Sequence, residues 1–178
     1  MNDNIAIGPD AQLNHALSLV RSARAEGGIG AGHVPLAPEV FIHSDPALTL
    51  DGRYTSPEGR LFDFEVKVAG EGGWIALHCN LGARDLTHQG VLGFACRSIA
   101  LETQVVQPCL RSGTDEGFVD CFFDKHILST PEERSHVDAL AVHQREAIPT
   151  MAPWRELVLF LPTKTFHWSL MDLRIFVV

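Results

Sequence analysis

The sequence predicts an all-β protein, an antiparallel β-sandwich of the jelly-roll type with a short N-terminal α-helix. Beyond Pro38, short runs of alternating apolar and polar residues follow one another, with turn-forming residues between them. These runs almost never alternate with helical patterns, as the strand-helix-strand units of a parallel sheet would require. A chain of 178 residues also suits one domain with a sizeable core.

A single amphipathic helix is predicted from Pro9 to Glu26. Its apolar residues recur at spacings of three and four, as on one helix face: Leu13, Ala16, Leu17 and Val20. An isolated helix of this length is marginal in water, so the stripe should pack on the sandwich or on another subunit, as in a homo-oligomer. The glycine- and proline-rich residues 27–38 are predicted as a loop or linker. The chain thus divides into an N-terminal segment, residues 1–38, and a β-sandwich domain, residues 39–178.

The strands are predicted from alternation and from turn signals. They lie near residues 39–43, 47–51, 61–69, 73–81, 91–99, 101–110, 117–125, 156–161 and 168–178. The clearest hairpin joins two of them through the glycine-rich residues 69–73. Residues 129–140 are predicted as a short helix or an ordered loop, because Ser129 or Thr130 can cap a helix whose first turn holds Pro131 and two glutamates.

Alternation also predicts which side chains face the core. The inward set is Phe62, Phe64, Ile75, Leu77, Cys79, Leu81, Leu92, Phe94, Cys96, Val119, Cys121 and Phe123. In the last strand, Met171, Leu173, Ile175 and Val177 are predicted to form a core face, and Trp168, Leu170, Asp172, Arg174 and Phe176 are predicted to point the other way. The four cysteines, which include Cys109, form no CxxC pair, so free buried thiols are expected and zinc is not indicated. No cofactor is predicted.

The opposite side of the strands carries a mixture of rings and planar polar groups. The predicted ligand-binding residues are Trp74, His78, Asn80, Arg97, Gln104, Asp120, Trp168 and Arg174. A sugar has hydroxyl groups that form bidentate hydrogen bonds with such polar groups, and apolar C–H faces that pack on aromatic rings. A solvated sheet face also carries mixed charges, which is the plain alternative for each of these residues.

The overall charge argues against polyanionic partners. The chain has 14 basic and 22 acidic residues, a formal charge of -8, and no stripe of lysine or arginine. Its first residues, MNDNIAIGPDAQ, lack the basic and apolar regions of an export signal, and no apolar run approaches the ~18 residues that span a bilayer. We therefore expect a cytoplasmic protein that binds neither nucleic acid nor membranes.

The order of the later elements resembles a known family. A glycine-flanked hairpin, a long loop and a closing pair, ELVLFLP and FHWSLMDLRIF, resemble the jelly-roll carbohydrate-binding modules and their galactose-binding-like relatives over residues 39–178. The resemblance implies a non-catalytic module that binds an oligosaccharide or polysaccharide on a concave sheet face or in loops at one end. It also implies a structural calcium ion near the last strand, where Asp172 could be a ligand, but the several partner oxygens that calcium needs cannot be assigned.

Two other classes of function remain open. A glycan-processing enzyme could use the same face, as a hydrolase with Asp120 and Glu102 on neighbouring strands, or as a lyase with His78, Arg97 and Tyr54. A structural or oligomerisation protein could instead bury its exposed aromatic residues in a partner. The nine histidines form no HxH or HExxH pattern, so they do not indicate a metal site.

Overall fold

The computed structural model describes residues 8–178, which form two antiparallel sheets and one helix. The elements in chain order are α1 (Ala11–Ala23), β1 (Glu26–Ile29), β2 (Val34–Ala37), β3 (Val40–Ser44), β4 (Leu48–Thr55), β5 (Phe62–Gly70), β6 (Ile75–Leu81), β7 (Val91–Ala100), β8 (Gln104–Thr114), β9 (Gly117–Phe122), β10 (Ile127–Ser129), β11 (Arg134–Ala141), a 3₁₀ turn (Val142–Gln144), β12 (Arg155–Leu161) and β13 (Phe166–Val177). The predicted β-sandwich with a short N-terminal helix is confirmed.

The two sheets enclose one apolar core. The six-stranded sheet has the order β1-β4-β5-β13-β7-β11, and the seven-stranded sheet has the order β10-β8-β12-β6-β3-β2, with β9 also paired to β8. The side chains that alternation assigned to the core are buried, except that Val119, Met171 and Val177 are partly exposed. Within residues 8–178, no helix is long and apolar enough to cross a lipid bilayer.

The four strands β1, β2, β10 and β11 were not predicted, and each depends on its pairing partner, which for β10 is β8. The predicted linker, residues 27–38, contains most of β1, which pairs with β4, and all of β2, which pairs with β3. The predicted helix or loop at 129–140 is also wrong, because this segment pairs with β7 as strand β11. Strand formation at a sheet edge is decided by tertiary pairing more than by local propensity, so these strands have little local signal.

Helix α1 packs on the sandwich of its own chain. Its apolar stripe is buried, and Asn14 joins it to β13, because its side-chain amide donates to the Ile175 carbonyl at 2.8 Å and accepts from the Ile175 amide at 3.0 Å. Arg21, near the end of the helix, forms an ion pair with Asp172. The stripe is thus covered within the chain, which leaves little of it for a subunit contact.

A β-bulge in β13 changes the alternation of the last strand. The register of β13 against β7 shifts between Leu170 and Asp172, so Leu170 and Leu173 both face the core. An extra residue in one strand reverses the facing of every side chain beyond it. Trp168 therefore lies on the buried side of β13, 1% exposed, where its indole donates to the Ser129 hydroxyl at 2.9 Å. The prediction that Trp168 and Leu170 face outward with Asp172 and Arg174 is wrong.

The four cysteines are unpaired and buried, as predicted. Burial raises the pKa of the Cys79 and Cys96 thiols to about 12, and it also raises the pKa of Cys109 and Cys121. A buried thiol with a raised pKa stays protonated and unreactive at neutral pH. Cys79, Cys96 and Cys121 thus act as small core side chains, and Cys109 is a small side chain buried on the other side of its sheet.

Candidate functional site

The structure brings together only half of the predicted ligand-binding residues. Trp74, His78, Asn80 and Asp120 lie on the outer face of the seven-stranded sheet, where they follow the alternation of β6 and β9. The other four predicted residues lie elsewhere. A sandwich has two outer faces on opposite sides of the molecule, and alternation distinguishes inside from outside but not one sheet from the other.

Arg97 and Arg174 lie on the outer face of the six-stranded sheet. Arg97 is opposite Asp172 in the register and donates to Glu133 at 2.8 Å, and Arg174 is opposite Ala95. Their predicted position beside His78 is therefore wrong, because β7 and β13 belong to the other sheet.

Gln104 and Trp168 are buried. The Gln104 side-chain amide donates to the backbone carbonyl of His167 at 3.3 Å, and Trp168 lies below the bulge of β13. The sequence placed Gln104 on the outer face because Val105 and Val106 are both apolar, so the alternation of β8 could be read in either phase. In the structure, Val106 is buried and Val105 is exposed.

We call the outer face of the seven-stranded sheet the aromatic face. Its members are Phe41, His43, Trp74, His78, Asn80, Arg111, Phe118, Asp120, Phe122, Trp154, Glu156 and Phe160. Beneath them, Ala76, Cys109 and Val158 are completely buried although they point outward. Small outward residues are buried in this way only when larger side chains crowd above them. The aromatic face is therefore a packed layer.

Polar groups cross the middle of the aromatic face in one row. Asn80, Glu156, Arg111 and Asp120 are neighbours in the registers of four adjacent strands. The Arg111 guanidinium donates to both carboxylate oxygens of Asp120, at 2.7 and 2.8 Å, and these bonds raise the pKa of Arg111. Glu156 lies 2.8 Å from Nδ1 of His78. Each charged group thus has a fixed orientation.

Aromatic rings surround this row. Phe41 stacks on His78 with ring centroids 4.7 Å apart, and the guanidinium of Arg111 lies 3.9 Å from the centroid of the Phe118 ring. Nε2 of His78 is buried and has no hydrogen-bond partner among residues 8–178. Stacking holds the imidazole between neighbouring rings, where its remaining nitrogen is shielded from water.

One end of the aromatic face contains an open groove. The groove has a volume of about 440 Å³, and its lining includes Trp74, Gln107, Phe122, His126 and Phe160. The Phe122 and Phe160 rings are 5.9 Å apart, and the His43 ring meets Trp74 edge-on at 5.0 Å. Exposed rings beside amide and imidazole groups suit a ligand with both apolar and hydroxylated surfaces.

Several members of the aromatic face were not predicted. Phe41 and His43 follow the alternation of β3, Arg111 that of β8, and Glu156 and Phe160 that of β12. Alternation within each strand could have predicted that they point outward, since each stands two or four residues from another outward side chain. It did not show that β3, β6, β12 and β8 are consecutive neighbours, which depends on long-range pairing.

A larger depression lies on the opposite side of the molecule. It has a volume of about 600 Å³ on the outer face of the six-stranded sheet, and its lining includes Arg53, Arg60, Glu65 and His167. Its polar groups are mostly solvated ion pairs, and the rings that border it, such as Trp168, are buried in the core. Volume alone is therefore a poor guide, and the exposed rings favour the aromatic face.

The residues described do not fit a metal site. No group of three or more histidine, cysteine, aspartate or glutamate side chains within residues 8–178 is arranged to hold an ion. Asp172, the acid that the family resemblance suggested for calcium, is paired with Arg21. A calcium ion needs six to eight oxygen ligands, which this surrounding does not supply.

Comparisons with known proteins show a likeness of fold. The sequence matches no protein-family model and no curated protein. A family 11 carbohydrate-binding module from Clostridium thermocellum, solved with a β-1,3-1,4-mixed-linked tetrasaccharide, is similar at 9% identity and a TM-score of 0.50, over 85% of this chain and 95% of that one. The family 11 module of the cellulosomal cellulase Lic26A-Cel5E from the same organism is similar at 10% identity, with the same TM-score and coverage. The chain thus has the fold of a jelly-roll carbohydrate-binding module, as the sequence resemblance predicted.

Proposed function

We propose that this protein binds an oligosaccharide on its aromatic face, without catalysis. The observation that supports this most is the groove in which Trp74, Phe122 and Phe160 lie next to polar side chains. The apolar C–H face of a sugar ring can pack on such rings while its hydroxyl groups reach the amide of Gln107 or the imidazole of His126. A tetrasaccharide is bound by a protein of the same fold, which adds support.

The carboxylates of the aromatic face favour binding over hydrolysis. Glycosidases use two carboxyl groups, one of which must supply a proton to the leaving oxygen. Both carboxylate oxygens of Asp120 accept hydrogen bonds from Arg111, and Glu156 is paired with His78. Acids that are held in this way are suited to accept hydrogen bonds from hydroxyl groups.

Binding should be modest in strength. Hydrogen bonds between sugar and protein replace hydrogen bonds between sugar and water, so each contributes only about 0.5 to 1.5 kcal/mol. We therefore expect dissociation constants from roughly micromolar to millimolar.

Titration calorimetry tests the proposal directly. The probes are the β-1,3-1,4-mixed-linked tetrasaccharide and linear β-1,4-linked glucose oligomers, each titrated into the wild type and two folded variants. Trp74→Ala should weaken binding about tenfold or more, because it removes a ring from the groove. The control is Phe176→Ala, which removes an aromatic ring from the other sheet, where it lies over Gly93. Phe176→Ala should leave affinity unchanged.

The outcomes separate the classes of function. Equal affinity in the wild type and Trp74→Ala would place the site elsewhere. No binding of any probe would contradict the proposal, and release of shorter sugars during the titration would show that the protein is an enzyme instead.

A further inference from the structure

A second ring stands at the far end of the aromatic face from the groove. Trp154, Glu156, Val158 and Phe160 point to the same side of β12 and its N-terminal extension. Trp154 and Phe160 are six residues apart, and strand residues advance by about 3.3 Å each, so the two rings mark positions about 20 Å apart. The charged row lies between them. The aromatic face therefore has two aromatic ends and a polar middle.

Trp154 is fixed in place by a glycine. Its ring lies over Gly113 of β8, where an added Cβ would stand 2.5 Å from the indole nitrogen and 2.6 Å from the next ring carbon. The backbone also fixes it, since the Gly113 amide donates to the Trp154 carbonyl at 2.9 Å. Its side chain is nevertheless 38% exposed. A ring that is both immobilised and accessible loses little conformational entropy when a ligand packs on it.

A separate depression opens beside this ring. It has a volume of about 350 Å³, and its lining includes Glu39, Asn80, Arg84 and Trp154. The Glu39 carboxylate accepts a hydrogen bond from the Gln12 side chain at 2.9 Å, which orients it. This end therefore offers an amide, a guanidinium and a carboxylate beside an exposed indole. The groove likewise places polar groups, an amide and an imidazole, beside its rings, and both arrangements suit a sugar.

We infer that Trp154, Asn80 and Arg84 form a second sugar subsite, so that a bound oligosaccharide runs along the strands and contacts both ends of the aromatic face. This inference rests on the proposed function. A chain in this direction passes over Glu156 and Arg111, whose side chains are 14% and 16% exposed and can form hydrogen bonds with its hydroxyl groups. A short sugar occupies the groove at Trp74 alone, whereas a longer one reaches Trp154.

The three tryptophans allow a direct test. Trp74, Trp154 and Trp168 give three indole N–H signals in a nitrogen-15 correlation spectrum, which Trp74→Phe and Trp154→Phe assign. The β-1,4-linked disaccharide of glucose should shift the Trp74 signal only. The corresponding hexasaccharide should shift the Trp74 and Trp154 signals, while buried Trp168 serves as an internal control.

Variants complete the test by calorimetry. Trp154→Ala should lower affinity for the hexasaccharide about tenfold and leave affinity for the disaccharide unchanged. Gly113→Ala should have a similar but smaller effect, because it displaces the indole without removing it, and Phe176→Ala should change neither affinity. A Trp154 signal that stays in place with the hexasaccharide, while Trp74→Ala weakens binding, would overturn the second subsite and leave the proposed function standing. No effect of either tryptophan variant, or no binding, would overturn both.

Discussion

The two sheets present outer faces of different character, although the same alternation produces both. On the aromatic face, the ion pair of Arg111 with Asp120 lies among rings, and its side chains are 16% and 21% exposed. On the six-stranded sheet, the pair of Arg53 with Glu65 is 74% and 41% exposed. A crowded ion pair keeps one geometry, whereas a solvated pair exchanges with water. Fixed polar groups beside exposed rings are what a weakly bound sugar needs, which is why we propose the aromatic face as the binding surface.

The largest effect on stability is expected from a change at Arg155, on the core side of the sheet that bears the aromatic face. Arg155 points inward from β12 and is buried, with its guanidinium donating to Ser112 Oγ at 2.6 Å and to the carbonyls of Ala83, Pro149 and Thr150. Arg155→Met should lower the free energy of unfolding by at least about 3 kcal/mol, because several buried acceptors lose a charged donor. Urea denaturation measures this loss.

The outer face of the six-stranded sheet supplies the matched control for Arg155. Arg97→Met removes a guanidinium that pairs with Glu133 in solvent, so its effect should stay within about 0.5 kcal/mol. Ser112→Ala, which removes one acceptor of Arg155, should cost about 1 to 2 kcal/mol. Similar losses for Arg155→Met and Arg97→Met would show that the buried Arg155 contributes no more to the free energy of unfolding than a surface ion pair does.

Double-mutant cycles compare the ion pairs of the two faces. The coupling free energy between Arg111 and Asp120 should be about 1 to 2 kcal/mol, since two parallel hydrogen bonds join side chains that are mostly shielded from water. The coupling between Arg53 and Glu65 should be at most about 0.5 kcal/mol. Urea denaturation of each single and double alanine variant gives both values. Equal couplings would remove the distinction between the two faces.

The sequence predicted the elements whose signal is local. The stripe of α1 was readable because a helix buries residues at a fixed spacing, and the buried position of Cys79 and Cys96 followed from simple alternation. Trp168 was misplaced because one extra residue in β13 reverses the alternation, and a bulge leaves no mark in the pattern of apolar residues.

The candidate site was only partly predictable for a different reason. His78 and Arg97 both point outward, but the pairing of β6 with β12 and of β7 with β13 assigns them to opposite sides of the molecule. Such pairings join residues far apart in the chain, and alternation within one strand contains no information about them. The contacts of Gly113 with Trp154 and of Gly93 with Phe176 could not be predicted for the same reason, since each glycine accommodates a ring that is distant in the sequence.

The smallest expected effect is a pH dependence that arises on the aromatic face. Burial lowers the pKa of His43 from its ordinary value of 6.5, and the electrostatic influence of the neighbouring His78 and His33 lowers it further, with Arg111 acting in the same direction and Glu156 opposing. The folded protein therefore binds this proton less readily than the unfolded chain does. As the pH falls below 6.5, the unfolded chain takes up the proton first, so the free energy of unfolding should decrease until the pH reaches the lower pKa of the folded state.

His43→Gln should make this decrease smaller. Urea denaturation of the wild type and the variant at several pH values between about 7.5 and 5 measures the slope, and the difference between the two proteins cancels the contribution of most other groups. Burial also lowers the pKa of His136, on edge strand β11 of the six-stranded sheet, so some slope should remain in His43→Gln and be reduced again in the double variant with His136→Gln. An unchanged slope in His43→Gln would show that His43 is as freely hydrated in the folded protein as in the unfolded chain, which would contradict its place in the packed layer beside Trp74.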